Sequence, residues 1–283
     1  MTPNDIISKV KNLPPVSQAA LKLVSLLEQA SISNDDVVQV IRCDNVLTAK
    51  LLRACNSPYF GLAEPVATVD QAVLILGHQQ ILHIVLTLAF GNTMIVTLPA
   101  YAAEASALWQ HSLVTATAAE IVAAEAYELK VEAPVAFTVG LLHDIGKLAI
   151  SQGLAPELQA QIRDRIQNEN LSRRAAEKLV AGTDHAEVGA ALLKTWRLPA
   201  EIIEAVGYHH SPPLAPQPKL SAVTHVANAL AHRVSPLPGE DLTAREINPE
   251  VLAALNIHES RLEGLVETVR EAAATMNQVM AAV

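Results

Sequence analysis

Leu141-Leu142-His143-Asp144-Ile145-Gly146-Lys147 sets an imidazole beside a carboxylate inside an apolar run. A charge in such surroundings is costly unless it is paired or bound to a metal. Further histidines stand at wide intervals around it: His111 before, His185 and the pair His209-His210 after. Imidazole suits Zn, Fe, Ni and Mn-type ions, and a carboxylate supplies an anionic, bridging donor. These residues therefore read as ligands for one or two divalent metals. Two readings of Asp144 stand side by side: metal ligation, or an ion pair with Lys147, three positions on and so on one helical face.

The elements that must position these residues read as helices throughout. The chain has 283 residues and is 51% hydrophobic but only 3% aromatic, so its core is built from Ala, Leu, Ile and Val. That composition favours helix over sheet. After Pro14-Pro15, Val16, Ala20, Leu23, Val24 and Leu27 share one helical face. Ser33-Asn34-Asp35-Asp36 and Thr68-Val69-Asp70-Gln71 have the form of capping boxes, and Gly77 closes the second helix. A helix over about 46–55 ends at Asn56-Ser57-Pro58, and Tyr59-Phe60-Gly61 reads as a packing plug at the junction. A long Ala-rich helix over 104–129 carries His111, and a helix beginning at Pro134 carries His143 and Asp144. Ser172 and Thr183 are expected to cap two more. Pro199 starts the helix ending at His209-His210, and adjacent histidines both face one cleft only near such an end. Loops follow over 211–218 and 235–241, with a helix over 219–233 between them and one or two helices over 249–283.

Several function classes are excluded or disfavoured. Net charge is -9, and the longest basic run is Arg173-Arg174, so no basic stripe for nucleic acid is present. Cys43 and Cys55 make neither a disulfide framework nor a Cys-based zinc site. They read as small core residues of a reduced, cytoplasmic protein. Met1-Thr2-Pro3-Asn4-Asp5 has no basic or apolar region of a secretory signal. The apolar stretch 72–98 is interrupted by Gly77-His78-Gln79-Gln80, His83 and Gly91-Asn92, which favours two core helices over a membrane span of ~20 residues. No Walker loop, dinucleotide fingerprint or defensible Ser-His-Asp order occurs.

The chain resembles the HDOD domain, a helical relative of the HD superfamily of metal-dependent phosphohydrolases found in bacterial signalling proteins. In the first half the resemblance runs through Leu13-Pro14-Pro15, Asp36-Val37-Val38 to Cys43-Asp44, 51–61, and Val69-Asp70-Gln71-Ala72-Val73 with Leu76-Gly77. In the second half it runs through Trp109-Gln110-His111-Ser112, 140–147, His185-Ala186-Glu187-Val188-Gly189 and Tyr208-His209-His210. It implies an all-α, two-lobed fold: an HDOD domain over 5–235, with an N-terminal helical lobe over 5–100 and an HD-like lobe over 101–235; the tail over 236–283 carries no motif of the family and reads as a C-terminal helical extension.

The resemblance further implies metal ligation by His111, His143, Asp144, His185, His209 and His210, with Asp144 and Lys147 serving the reaction and Lys147 near substrate phosphate. The last superfamily ligand is an aspartate, and Asn228 stands at its place. An amide oxygen is neutral and a poorer ligand. One carboxylate makes a single ion (Fe, Mn, Ni, Zn or Mg) easier to hold than two, and a metal-free protein is the remaining alternative. His225 and His232 flank Asn228 and either line its face or lie peripherally, while His78, His83 and His258 match nothing. Cyclic di-GMP phosphodiesterases of the HD-GYP type have a Gly-Tyr-Pro loop where this chain has Ser211-Pro212-Pro213-Leu214-Ala215-Pro216. The expectation is a regulatory signalling module, weakly active or non-catalytic, whose partner is a signalling protein or nucleotide ligand rather than nucleic acid or membrane. Its oligomeric state is open. The alternative is a metal-dependent phosphohydrolase.

Overall fold

A computed structural model describes residues 1–10, 16–27, 32–95, 97–101, 105–169, 171–236 and 242–281. Leu13-Pro14-Pro15 and most of the expected 235–241 loop lie outside the described residues. Among those described the chain is all-α, with no strand beyond a lone bridge residue, Leu98. The first helices are α1 (Pro3–Ile7), α2 (Gln18–Leu26), α3 (Asn34–Arg42), α4 (Asn45–Cys55), α5 (Val69–Leu76) and α6 (His78–Met94). Then come α7 (Ala105–Glu125), α8 (Ala133–Leu142), α9 (Ile145–Gly153), α10 (Pro156–Asn168), α11 (Arg173–Ala181) and α12 (His185–Thr195). The last are α13 (Ala200–Tyr208), α14 (Pro218–Val234), α15 (Pro249–Ala254) and α16 (Leu262–Ala281).

Local chemistry sets most of these boundaries. Ser33 with Asp36 and Thr68 with Gln71 form reciprocal capping boxes at the starts of α3 and α5, each satisfying two backbone donors that a helix end leaves open. Gly77 closes α5 with φ of 78°, a left-handed conformation that costs a glycine little. Ser172 caps α11, but α12 is capped by Asp184 rather than Thr183. The carboxylate accepts from Glu187 N, and the Thr183 hydroxyl donates instead to the Glu187 side chain at 2.6 Å.

Helices α2 to α5 pack around α6, which passes on to α7 and α8. The second lobe is built on α7, flanked by α8, α14 and α16, with α9, α12 and α13 closing the far side. Residues 3–7, which the sequence reading groups in part with the first lobe, pack on α9 and α12 of the second. The tail is equally integrated: α16 lies on α7 and α14, and α15 on α14. Buried apolar side chains form one continuous cluster from Ile6 to Met276. Cys55 belongs to that core, whereas Cys43, at the C-cap of α3, is exposed and so corrects the expectation that both are core residues. In the Tyr59-Phe60 turn only Phe60 packs on the core; Tyr59 is exposed. Among the described residues one segment, Ala133–Gly153, is long and apolar enough to cross a membrane by length and composition, and it is mostly buried inside the protein.

Candidate metal centre

The expected single helix through His143 and Asp144 is broken at that pair. Helix α8 ends at Leu142 and α9 starts at Ile145. The His143 ring satisfies a C-terminal carbonyl of α8, donating from Nδ1 to Gly140 O at 2.8 Å. Asp144, with φ of -99° and ψ of 7°, lies in the bridge region and turns the chain into α9. Both side chains thus leave a helix junction instead of a helix wall.

Two glycines let the flanking helices approach. A Cβ on Gly140 would meet Ala116 Cα and Thr115 O at 2.7 Å, so α8 crosses against α7, which carries His111. A Cβ on Gly146 would meet His185 O at 1.9 Å, so α9 lies directly against the first turn of α12. The fourth wall comes from the end of α13, where His209 occupies the C-cap and both His209 and His210 turn inward, their ring centroids 4.0 Å apart.

The result is a buried cluster in two halves joined by Asp144. In the first, ligand atoms of His111, His143 and Asp144 lie within 4.8 Å of one another; in the second, those of His185, His209 and His210 do. Asp144 Oδ2 faces His143 Nε2 at 3.4 Å and His111 Nε2 at 3.7 Å, while Oδ1 faces His185 Nε2 at 3.3 Å. Asn228 Oδ1 lies 2.9 Å from His111 Nε2. His232, left open by the sequence, joins the cluster with its ring centroid 4.4 Å from that of His111. His225 does not: its Nδ1 meets the His209 carbonyl at 3.0 Å. His83 stacks on Phe137 elsewhere, and His258 is exposed.

The surroundings fix which ring nitrogen donates outward in three of these histidines. A carbonyl or carboxylate oxygen can only accept, so the ring nitrogen facing it must donate. His143 donates from Nδ1 to Gly140 O, and His209 from Nδ1 to Val206 O at 2.7 Å. His185 donates from Nδ1 to Glu177 Oε2 at 2.7 Å. All three therefore present Nε2 to the cluster, the arrangement by which outer partners orient metal-ligating imidazoles. Burial holds His143 down to about 4 and His111, His209 and His210 well below the ordinary histidine range, so these rings are neutral at pH 7, as ligation requires. Burial opposes ionisation of Asp144, but positive charge beside it, the Lys147 ammonium foremost once the rings are neutral, holds its pKa below the usual carboxylate range. Buried ligand atoms without a hydrogen-bond partner include His143 Nε2, His209 Nε2 and Asp144 Oδ1. Such orphans are rare without an ion or water to meet them. The donor set fits a divalent metal.

Sequence reasoning missed the second carboxylate. Glu177 on α11 is fully buried and accepts from Tyr101 OH at 2.6 Å and from both His185 N and Nδ1 at 2.7 Å. Burial, then the Glu177 charge, keeps the Tyr101 phenol well above its ordinary pKa and so a donor. Neither residue carries a spacing signal; only the fold brings Tyr101 to Glu177. Outside them, Arg174 ties the α12 cap to the His210 turn, bonding Asp184 at 2.7 Å and Ser211 at 3.1 Å.

Access is restricted. His111, His143, Asp144, Lys147, His185, His209 and Asn228 are all buried, and Lys147 is ion-paired with Asp144. A cleft of about 680 Å³ opens elsewhere, between the lobes. Its walls include Leu27 and Leu82 from the first lobe, Pro134 at the start of α8, Glu201 near the start of α13, and Lys219 at the start of α14.

Comparison with known proteins agrees with this architecture. The HDOD domain model matches residues 13–212. A crystal structure of an HDOD domain protein of unknown function from Geobacter sulfurreducens is 26% identical, superposes with a TM-score of 0.69, and aligns over 95% of this chain and 96% of its own. A protein from Shewanella amazonensis SB2B, provisionally named a phosphohydrolase, shares the fold with a TM-score of 0.70 at 24% identity, over 99% of this chain and 98% of its own. One from Marinobacter aquaeolei VT8, provisionally named a signal transduction protein, has a TM-score of 0.77 at 20% identity, over 98% of this chain and 63% of its own. An uncharacterized protein of Treponema pallidum (strain Nichols) is 24% identical over 233 residues; the match takes in 79% of this chain but only 42% of that relative's length. With the family model covering most of the sequence and the helices in place around the His-Asp pair, the chain belongs to the HDOD domain family.

Proposed function

We propose that this protein is a regulatory signalling module in which the buried His/Asp cluster holds a divalent metal as a structural or sensory centre, not as a hydrolytic one. The observation that carries the reading is the position of Lys147. The resemblance puts this residue beside substrate phosphate, but it is 5% exposed and its ammonium is bonded to Asp144. A phosphoester would have to enter a closed cluster and break that pair. The cleft between the lobes is an accessible concave surface, and its size suits a small molecule such as a nucleotide.

His185, His209, His210 and Asp144 would hold the ion, with His143 beside them. When bound, a metal supplies positive charge to a site whose orphaned atoms are electron-rich. Glu177 and Tyr101 orient His185, and the carbonyls of Gly140 and Val206 orient His143 and His209.

A second reading, metal-dependent phosphohydrolase, draws support from the convergence of His111, His143, Asp144, His185, His209 and His210 on one cluster. Incubating Mn(II)-loaded wild type and Asp144→Ala with p-nitrophenyl phosphate and bis-p-nitrophenyl phosphate separates the two. The regulatory reading expects no turnover from either protein. Metal-dependent turnover by wild type that is lost in Asp144→Ala would replace it with the hydrolase.

A further inference from the structure

The two halves of the cluster are not equivalent. In the half formed by His111, His143 and Asp144, the protein's own groups already engage two of the three ligands. Asp144 Oδ2 is bonded to the Lys147 ammonium, and His111 Nε2 lies 2.9 Å from Asn228 Oδ1. The third ligand there, His143 Nε2, has no hydrogen-bond partner, but the unpartnered carboxylate oxygen, Asp144 Oδ1, faces the other half together with His209 Nε2. His185 Nε2 faces Asp144 Oδ1 at 3.3 Å and is hydrogen-bonded to His210 Nε2 at 2.8 Å, a contact that an ion held by both rings would replace. A buried carboxylate oxygen with no hydrogen-bond partner is unfavourable unless a cation meets it.

We infer that this chain holds a single ion, in the half made by His185, His209, His210 and Asp144 Oδ1, and that the Lys147 ammonium takes the place of a second ion in the other half. This rests on the metal-holding reading above and refines it. Asn228 belongs to the same design. With a neutral amide in place of a carboxylate, the first half has only the Asp144 charge to offer, and Lys147 neutralises it. A second dication there would sit beside an ammonium with no additional anion, and the like-charge repulsion in a buried site is severe. Exchanging Lys147 for an uncharged residue removes that repulsion, and adding a carboxylate at position 228 supplies the missing anion.

The test uses Mn(II) with the whole chain. Equilibrium dialysis followed by elemental analysis gives stoichiometry, and electron paramagnetic resonance distinguishes an isolated Mn(II) from a carboxylate-bridged pair. Circular dichroism and thermal unfolding check that each variant folds. Wild type is expected to bind one Mn(II) with an uncoupled spectrum, to keep it in His111→Ala, and to lose it in His209→Ala and in the milder His209→Gln. Lys147→Met combined with Asn228→Asp is expected to bind two, with the exchange-coupled spectrum of a pair; Lys147→Gln with Asn228→Asp repeats the test in a more polar background. An ion lost in His111→Ala but retained in His209→Ala overturns the assignment to this half. Two ions in wild type, or one ion in both double variants, overturn the role given to Lys147 while leaving the metal-holding reading intact. No ion in wild type at millimolar Mn(II) overturns both.

Discussion

Glu177 shows how a single residue can set the character of the centre without touching the ion. Its carboxylate receives the His185 backbone N–H, the His185 ring N–H and the Tyr101 hydroxyl, so His185 has one available tautomer and one orientation. Replacing it with glutamine keeps the shape, removes the charge, and lets the amide donate toward His185 in place of accepting. Outer partners of this kind are worth about 10–100-fold in metal affinity. Glu177→Gln is therefore expected to weaken Mn(II) binding by about that factor, with the far-UV circular dichroism unchanged; a titration giving wild-type affinity would show that the outer carboxylate does not tune the site. At this scale the sequence was informative where residue type and neighbours carried a signal: the His143-Asp144 pair, the inward turn of His209-His210 at a helix end, and the place of Asn228. It left His232 open, four positions from Asn228, and was silent on Glu177 and Tyr101, because their contribution depends on separations of tens of residues that no local pattern encodes.

Helix crossings, more than helices themselves, build the site. The capping boxes of α3 and α5 were legible because they close within four residues. The break between α8 and α9 was not, since the run from Pro134 to Gly153 reads as one continuous apolar helix until the His143 ring and the Asp144 backbone are seen in place. Gly146 governs the crossing of α9 on α12. Gly146→Ala inserts a methyl against backbone atoms that have no rotamer to change, so the helices must separate. Overpacking costs about 1–3 kcal/mol, and the midpoint of urea unfolding should fall accordingly, with Mn(II) affinity falling too because His185 moves away from Asp144. An unchanged midpoint would mean that α9 and α12 are less closely docked than described.

Another crossing, α6 on α7, makes a testable pH signature. Burial pushes the His83 imidazole down to about 4 and the Glu120 carboxyl up to about 7, and the two groups lie 3.7 Å apart. Between roughly pH 4.5 and 6.5 the unfolded chain protonates His83 while the folded one protonates Glu120, using ordinary values for the unfolded groups. The histidine, depressed in the fold, contributes stability that is lost as pH falls; the glutamate, raised in the fold, contributes stability that is lost as pH rises. The two slopes oppose each other. Glu120→Gln removes the second, so its stability should climb with pH across this window more steeply than wild type by up to about one proton per molecule. Urea denaturation at a series of pH values reads the difference; parallel curves for the two proteins would show that Glu120 titrates normally.

Across the whole molecule, both ends of the chain are bound into the second lobe. Helix α1 lies on α9 and α12, with Ile6 fully buried and its carbonyl 2.5 Å from where a Cβ on Gly153 would be. The sequence could not assign this helix, because five residues carry too little periodicity and its packing partners lie about 140–190 positions later. Emptying the Ile6 pocket should cost about 2–5 kcal/mol. Ile6→Ala is expected to lower the unfolding midpoint by that amount in a single transition, since the buried apolar cluster is continuous through both lobes. A separate early transition confined to the second lobe would show instead that the lobes melt independently.

The same three helices run as rods from the interlobe cleft to the His/Asp cluster, α14 passing the cluster within its length. Helices α8, α13 and α14 each begin at the cleft, with Pro134, Glu201 and Lys219 in its wall, and deliver His143, His209 and Asn228 toward the cluster. Each rod is roughly 15 Å long over the stretch concerned, so a tilt of about 4° at the cleft displaces the far end by about 1 Å. Coordination geometry is unforgiving on that scale. Anything that spreads the cleft would work as the short arm of a lever on the centre. By the reciprocity of linked equilibria, loading the centre would also reset the width of the cleft.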